Sequence, residues 1–255
     1  MKKIYLSHLL EDKDMEKVLK NYPIGIEIIE FGIGQSLDCK EESLKNYKER
    51  LNKIIEKPSL SVHGPFLDLC PASFDSLIKD ATMKRFESSY WMAKEIGAER
   101  IIFHTCFNKM VYFKSSWEYN SKIFWKEFLS NKDDSIKIHI ENEYDSDYEH
   151  IVNLIDGVNH PAFSVCLDIG HANYCSKIPL EDWIKGLGKR IGHVHLHNNY
   201  GIKDNHNGIL NGDISILDVL NKINETSKDA TWTLEVGKYD EIISSLEWLK
   251  ENKFL

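Results

Sequence analysis

No stretch of this chain comes near 18 consecutive apolar residues, which excludes a membrane-spanning helix from the reading. Cysteine is sparse and odd in number: Cys39, Cys70, Cys106, Cys166 and Cys175, with no C-x-x-C pair. That spacing sets aside a disulfide framework and a zinc knuckle, and the expectation is a reducing, cytoplasmic setting. Basic charge is in deficit. Lys and Arg number 32 against 40 Asp and Glu, for a net charge of −8. Phosphate-backbone binding wants clustered cations, so this balance argues against a broad nucleic-acid footprint, although bound metal ions would add positive charge outside the count. The opening “MKKIYLSHLLEDKDMEK” has two lysines, but acids soon break its apolar run, so no signal peptide is expected. No low-complexity run or compositional break marks a linker, so residues 1–255 are expected to form one domain.

What the chain does have is alternation. Short apolar runs of strand type occur at 3–7, 25–32, 59–64, 100–105, 136–143, 163–170, 191–198 and 231–237. A longer run of helical spacing follows each one. In “CKEESLKNYKERLNKIIEK”, Leu44, Tyr47, Leu51, Ile54 and Ile55 recur at helical intervals, and “DSLIKDATMKRFESSYWMAKEIGA” meets a stop at Gly97. A strand followed by a helix, eight times over, predicts a parallel sheet with right-handed crossovers. A dinucleotide-binding open sheet would carry G-x-G-x-x-G after its first strand, where this chain reads “SHLLEDKD”. The predicted fold is therefore α/β, a single (β/α)8 TIM barrel.

Polar residues collect where these strands end: His63, His104, Glu141 with Glu143, Asp168 with His171, His195 with Asp204 and His206 on the following loop, and Glu235. In a barrel those ends converge on one mouth, where active sites are built. Donors of N and O type without cysteine suit zinc, manganese, iron, cobalt or magnesium. Each residue also has a plain structural reading. His63 or His104 alone could be a hydrogen-bonded structural group, Glu141 and Glu235 salt-bridged core residues, and Asp168 a helix N-cap. Nine ligand-type side chains at successive strand ends favour the metal. His193, His195 and His197 share one strand face, because side chains alternate, and register decides which of them reach a metal. His139, His150 and His160 are expected to be structural or surface residues.

These residues resemble the xylose-isomerase-like TIM-barrel superfamily, which includes sugar phosphate isomerases and epimerases and the family-2 apurinic endonucleases (endonuclease IV). The resemblance spans about residues 25–237 and rests on “SVHGPFLDLCP”, “IIFHT”, “IHIENE”, “CLDIGHAN”, “HVHLHNN”, “DNH” and “LEV”. It implies a central metal held by Glu141, Asp168, His195 and Glu235. The endonuclease branch adds two zincs; the residues matching its second site are His63 and His104, with Glu141 bridging, and those matching its third are His171, Asp204 and His206. His193 and His197 then fall into the background. Where that branch reads H-L-N-D, this chain has His197 and Asn198, and Leu210 replaces the first glycine of its G-x-G-x-I. “GIEIIEFG” reads more like the sugar-isomerase branch.

The resemblance and the residues together imply a divalent-metal-dependent isomerase or epimerase (zinc, manganese, magnesium or cobalt, one to three ions per chain). Its partner would be a small-molecule sugar or sugar phosphate; the oligomeric state is left open. Glu141 and Glu235 would exchange a proton with the carbon next to a carbonyl, and His171 would hydrogen-bond a hydroxyl or donate a proton. Nucleic acid ranks second: a multi-zinc phosphoesterase of the endonuclease IV type would cleave abasic DNA. A non-catalytic metal-binding barrel ranks third. Phe66 and Phe107 are the expected substrate contacts, with Phe107, Tyr112 and Phe113 as candidate lid residues. Trp117, Phe124 and Phe128 are read as the core face of a helix.

Overall fold

Side chains along each strand alternate between two environments, and that alternation organises the structure. A computed structural model describes residues 2–255. Its strands are β1 (Ile4–Ser7), β2 (Gly25–Ile28), β3 (Leu60–His63), β4 (Arg100–His104), β5 (Lys137–Glu141), β6 (Phe163–Asp168), β7 (Ile191–Leu196) and β8 (Thr231–Leu234). Each pairs in parallel with the next, and β8 pairs with β1, so the sheet closes into a (β/α)8 barrel. Every predicted strand run contains a strand, usually shorter than the run.

The helices are α1 (Asp12–Asn21), α2 (Lys40–Ile54), α3 (Ser76–Ile96), α4 (Lys114–Leu129), α5 (Glu149–Val158), α6 (Ile169–Cys175), α7 (Leu180–Leu187), α8 (Ile216–Thr226) and α9 (Tyr239–Glu251). Asp75 caps α3 by accepting from the Leu77 amide, and Gly97 ends it in the left-handed conformation at φ 76°. The short α6 is not among the predicted helices. It starts because the Asp168 carboxylate, at the end of β6, accepts from the His171 amide at 2.7 Å. No helix among the described residues is long and apolar enough to cross a membrane.

The apolar core lies between the sheet and the helices. Ile26, Val62, Phe103, Ile140, Val194 and Trp232 face outward from the strands and pack with Trp117, Phe124, Trp125 and Phe128 of α4, among others. Trp117, Phe124 and Phe128 are thus core residues, as expected. The inward positions are largely polar: Tyr5, Glu27, Ser61, Arg100, His139, His193, Thr231 and Thr233 are all buried.

These inward groups form a hydrogen-bond chain of one direction. Arg100 Nη1 donates to Thr231 Oγ1. Thr231 in turn donates to His193 Nδ1 at 2.6 Å, and His193 Nε2 donates to Thr233 Oγ1 at 2.8 Å. Thr233 Oγ1 donates to Glu27 Oε2 at 2.8 Å, as Ser61 Oγ also does at 2.8 Å. His193 fits this chain only as a neutral imidazole. Burial lowers its pKa to about 4, against the pull of Glu27.

Candidate functional site

The C-terminal strand ends open onto a cavity of about 580 Å3, a size suited to a small molecule. Glu141, Glu235, His63, His104, His171, Asp204 and His206 line it together with Leu9, Ile29, Ile33 and Phe66. Asp168 and His195 lie beneath this lining and are fully buried. Register accounts for much of the convergence: β4 against β5 sets His104 beside Glu141, and β6 against β7 sets Asp168 beside His195. The strand ends are also clamped. Asn142 Nδ2 donates to the Asp168 carbonyl at 2.9 Å, and the Asp168 amide donates back to Asn142 Oδ1 at 2.9 Å.

At the centre, His195 Nδ1 lies 3.2 Å from Glu141 Oε1, 3.3 Å from Glu235 Oε2 and 3.8 Å from Asp168 Oδ2. The facing atoms of these four residues all lie within 4.8 Å of one another. Glu141 Oε1 and Oε2, Glu235 Oε2 and His195 Nδ1 are buried without a hydrogen-bond partner. Three buried carboxylates around one imidazole concentrate negative charge at a cost that a cation offsets, so this oxygen and nitrogen donor set fits a divalent ion. Burial alone would push Glu141 up, but His195 and His104 hold it well below the usual carboxylate range. Glu235 is drawn to about 2 against its burial, mainly by His195 and then by His206.

A second group adjoins the first. His63 Nε2 and His104 Nε2 are 3.2 Å apart, and each is 3.5 Å from Glu141 Oε2. His63 Nδ1 donates to the Gly64 carbonyl at 2.9 Å, which leaves the Nε2 lone pair facing His104 and Glu141. Ligands around a tetrahedral zinc stand roughly 3.3–3.6 Å apart, so this triangle has about the size of one ion's coordination shell.

A third group lies toward the loop after β7. His171 Nε2 is 3.3 Å and His206 Nε2 3.0 Å from Asp204 Oδ2. Both imidazoles donate Nδ1–H to backbone carbonyls, His171 to Asn142 at 3.0 Å and His206 to Glu235 at 3.2 Å. Burial lowers the His206 pKa, but Asp204 and Glu235 raise it to about 9.

The nine ligand-type residues expected at the mouth are all brought together there. Other expectations need correction. His197 is not background: it is fully buried, donates from Nε2 to Asp168 Oδ2 at 3.1 Å, and stacks on His206 at 3.9 Å within the third group. Its ring fits because residue 170 is glycine, where a Cβ would come within 2.0 Å of His197 Cε1. Phe66 lines the cavity, stacked on His104. Phe107 does not line it. It is 1% exposed and packs on Trp117 and His150, because the chain turns inward at Cys106, whose φ is 51°. Tyr112 packs against Phe74, and Phe113 stands 83% exposed at the start of α4, away from the cavity lining. Tyr144 and Lys203 line the wall instead. Glu27, whose Oε1 is 3.0 Å from His195 Nε2, also escaped the sequence reading. Its signal was an acid alternating with isoleucines in “GIEI”.

A family profile described as “xylose isomerase-like TIM barrel” matches residues 22–252. An uncharacterized protein of Methanocaldococcus jannaschii is 30% identical over 206 residues, which cover 74% of this chain and 68% of that protein. A probable endonuclease 4 of Mycoplasmopsis pulmonis is 24% identical over 234 residues, or 82% of this chain and 83% of that protein. The crystal structure of a D-tagatose 3-epimerase-like protein matches with a TM-score of 0.81 at 26% identity, covering 98% of this chain and 96% of that one.

Proposed function

Since the chain belongs to the xylose isomerase-like TIM-barrel family, we propose that it is a divalent-metal-dependent isomerase or epimerase of a sugar or sugar phosphate. The observation that carries this reading is the pair of carboxylates, Glu141 and Glu235, set around His195 with unpaired oxygens on the floor of a sugar-sized cavity. A divalent ion bound by Glu141, Asp168, His195 and Glu235 would polarise a substrate carbonyl and acidify the proton beside it. One glutamate takes that proton and the other returns one, so the two exchange the roles of base and acid. Leu9, Ile29, Ile33 and Phe66 form an apolar wall that limits water at the reacting carbon. Lys203 stands on the wall as a cation for a hydroxyl or phosphate at the substrate's far end. His171 is assigned to the third group rather than to the substrate, since its two nitrogens face Asn142 and Asp204.

The test is a panel of ketoses, aldoses and their phosphates in deuterated water with manganese, cobalt or zinc. Deuterium enters the carbon next to the carbonyl with the native protein. Glu141→Gln and Glu235→Gln lose roughly 10²–10⁴-fold in exchange rate while keeping the native circular dichroism. Full exchange by both variants sinks the assignment.

The three adjacent donor groups and the endonuclease 4 relative favour one second reading, a multi-zinc phosphoesterase. Incision of an abasic-site duplex by zinc-loaded protein, with no deuterium exchange into any sugar, selects it.

A further inference from the structure

His195 is buried on both sides. Its Nδ1 faces Glu141, Glu235 and Asp168, while its Nε2 faces Glu27 alone among the carboxylates, at 3.0 Å. Glu27 is fully buried near the middle of the barrel and contributes to none of the three donor groups, nor to a fourth, deeper set of Cys166, His193 and His195. Glu27 Oε2 accepts from the Ser61 and Thr233 hydroxyls at 2.8 Å each and lies 3.4 Å from His193 Nε2, while Glu27 Oε1 and His195 Nε2, both buried and neither with a hydrogen-bond partner, stand 3.0 Å apart. The Thr233 hydroxyl is committed to Glu27 because its own lone pair already receives His193, which receives Thr231, which receives Arg100.

We propose that Glu27 is a positioning residue: it holds the Nε2–H tautomer of His195, so that Nδ1 presents its lone pair to the central ion, and the chain from Arg100 keeps Glu27 in place. The physical basis is that a ligating imidazole is oriented by the acceptor on its other nitrogen, and a carboxylate there also raises the ligand's basicity. The arrangement here runs through the barrel. The charged anchor of the chain, Arg100, stands at the start of β4, and its far end reaches the cavity floor. Glu27 does not line the cavity that Glu141 and Glu235 open onto, so its effect passes through His195. The inference rests on the reading of the central group as a metal site, and is independent of which reaction that site performs.

The experiment titrates manganese(II) alone into chelator-stripped protein, with a chromophoric chelator as competitor. Glu27→Gln keeps the shape but turns an amide NH2 toward donors; it binds manganese about 10–100-fold more weakly than the native chain. Thr233→Val, which keeps the volume and cuts the chain one link earlier, weakens binding in the same direction by a smaller factor. The thermal midpoint of each stripped protein is measured alongside, because a purely structural Glu27 would lower that midpoint and leave the affinity of the folded protein unchanged. Manganese binding by Glu27→Gln within twofold of native overturns the proposal and leaves the proposed function standing. A native chain that binds no divalent ion overturns both.

Discussion

Two phenylalanines separate the wall of the site from the core beneath it. Phe107 is 1% exposed, with its ring centroid 4.4 Å from that of His150 and 5.6 Å from that of Trp117. Trp117 itself is fixed from the other side, since its Nε1 donates to the Thr105 carbonyl at 3.2 Å. The neighbours are therefore held by their own bonds and cannot collapse into a void. Truncation to alanine loses the transfer free energy of the ring and leaves a cavity, together about 3–5 kcal/mol. For a domain of this size that lowers the midpoint of thermal unfolding by roughly 6–20 °C. Phe66 is only part-buried and covers His104 and His63 on the cavity wall. Its truncation opens onto the cavity and costs about 1 kcal/mol or less, while KM for the sugar turned over rises roughly tenfold, equal to about 1.4 kcal/mol. Calorimetry and urea denaturation of both variants, with steady-state kinetics, separate the two roles. If Phe107→Ala unfolds within 2 °C of the native chain, or changes KM more than Phe66→Ala does, the placement of Phe107 as core is refuted.

Two further outcomes follow from the buried polar groups. Burial lowers the His150 pKa, but Asp145 and Asp147 raise it to about 9 from an ordinary 6.5. The stability of that cluster is thus fully present below about pH 6.5 and is lost as pH rises through 9, to the extent of about 3 kcal/mol; urea midpoints of the native chain should fall between pH 6 and 10 by more than those of His150→Gln. Gly170→Ala would place a Cβ 2.0 Å from the His197 ring, which Asp168 holds, so overpacking of about 1–3 kcal/mol is expected; an unchanged thermal midpoint would show that the ring moves freely.

Much of this fold was legible because inward and outward positions alternate so regularly in the strand runs, and because six of the eight runs, all but the first two, carry a titratable residue at their C-terminal end. His63, His104, Glu141, Asp168 and Glu235 could be placed from strand ends alone, whereas His195 was separated from His193 and His197 only by the family resemblance. Glu27 could not, since it sits within β2 rather than at the mouth, and its partner His195 comes from β7, five strands further along the chain. His197 depends on the register of β7 and on the absence of a side chain at Gly170, neither of which one sequence states. The aromatic loop after β4 misled for a local reason. A single left-handed residue, Cys106, sends Phe107 inward while Phe113 stays outside, and cysteine gives no warning of that conformation.

The apolar core forms a sleeve around the strands rather than a plug within them. Cohesion and chemistry are therefore assigned to opposite faces of the same eight strands. An inward substitution can alter ion choice or proton traffic while the sleeve keeps its packing, and an outward one can tune melting behaviour without touching a ligand. In such a barrel, activity can diverge over a conserved shell, with the inward alternate positions as the variable alphabet.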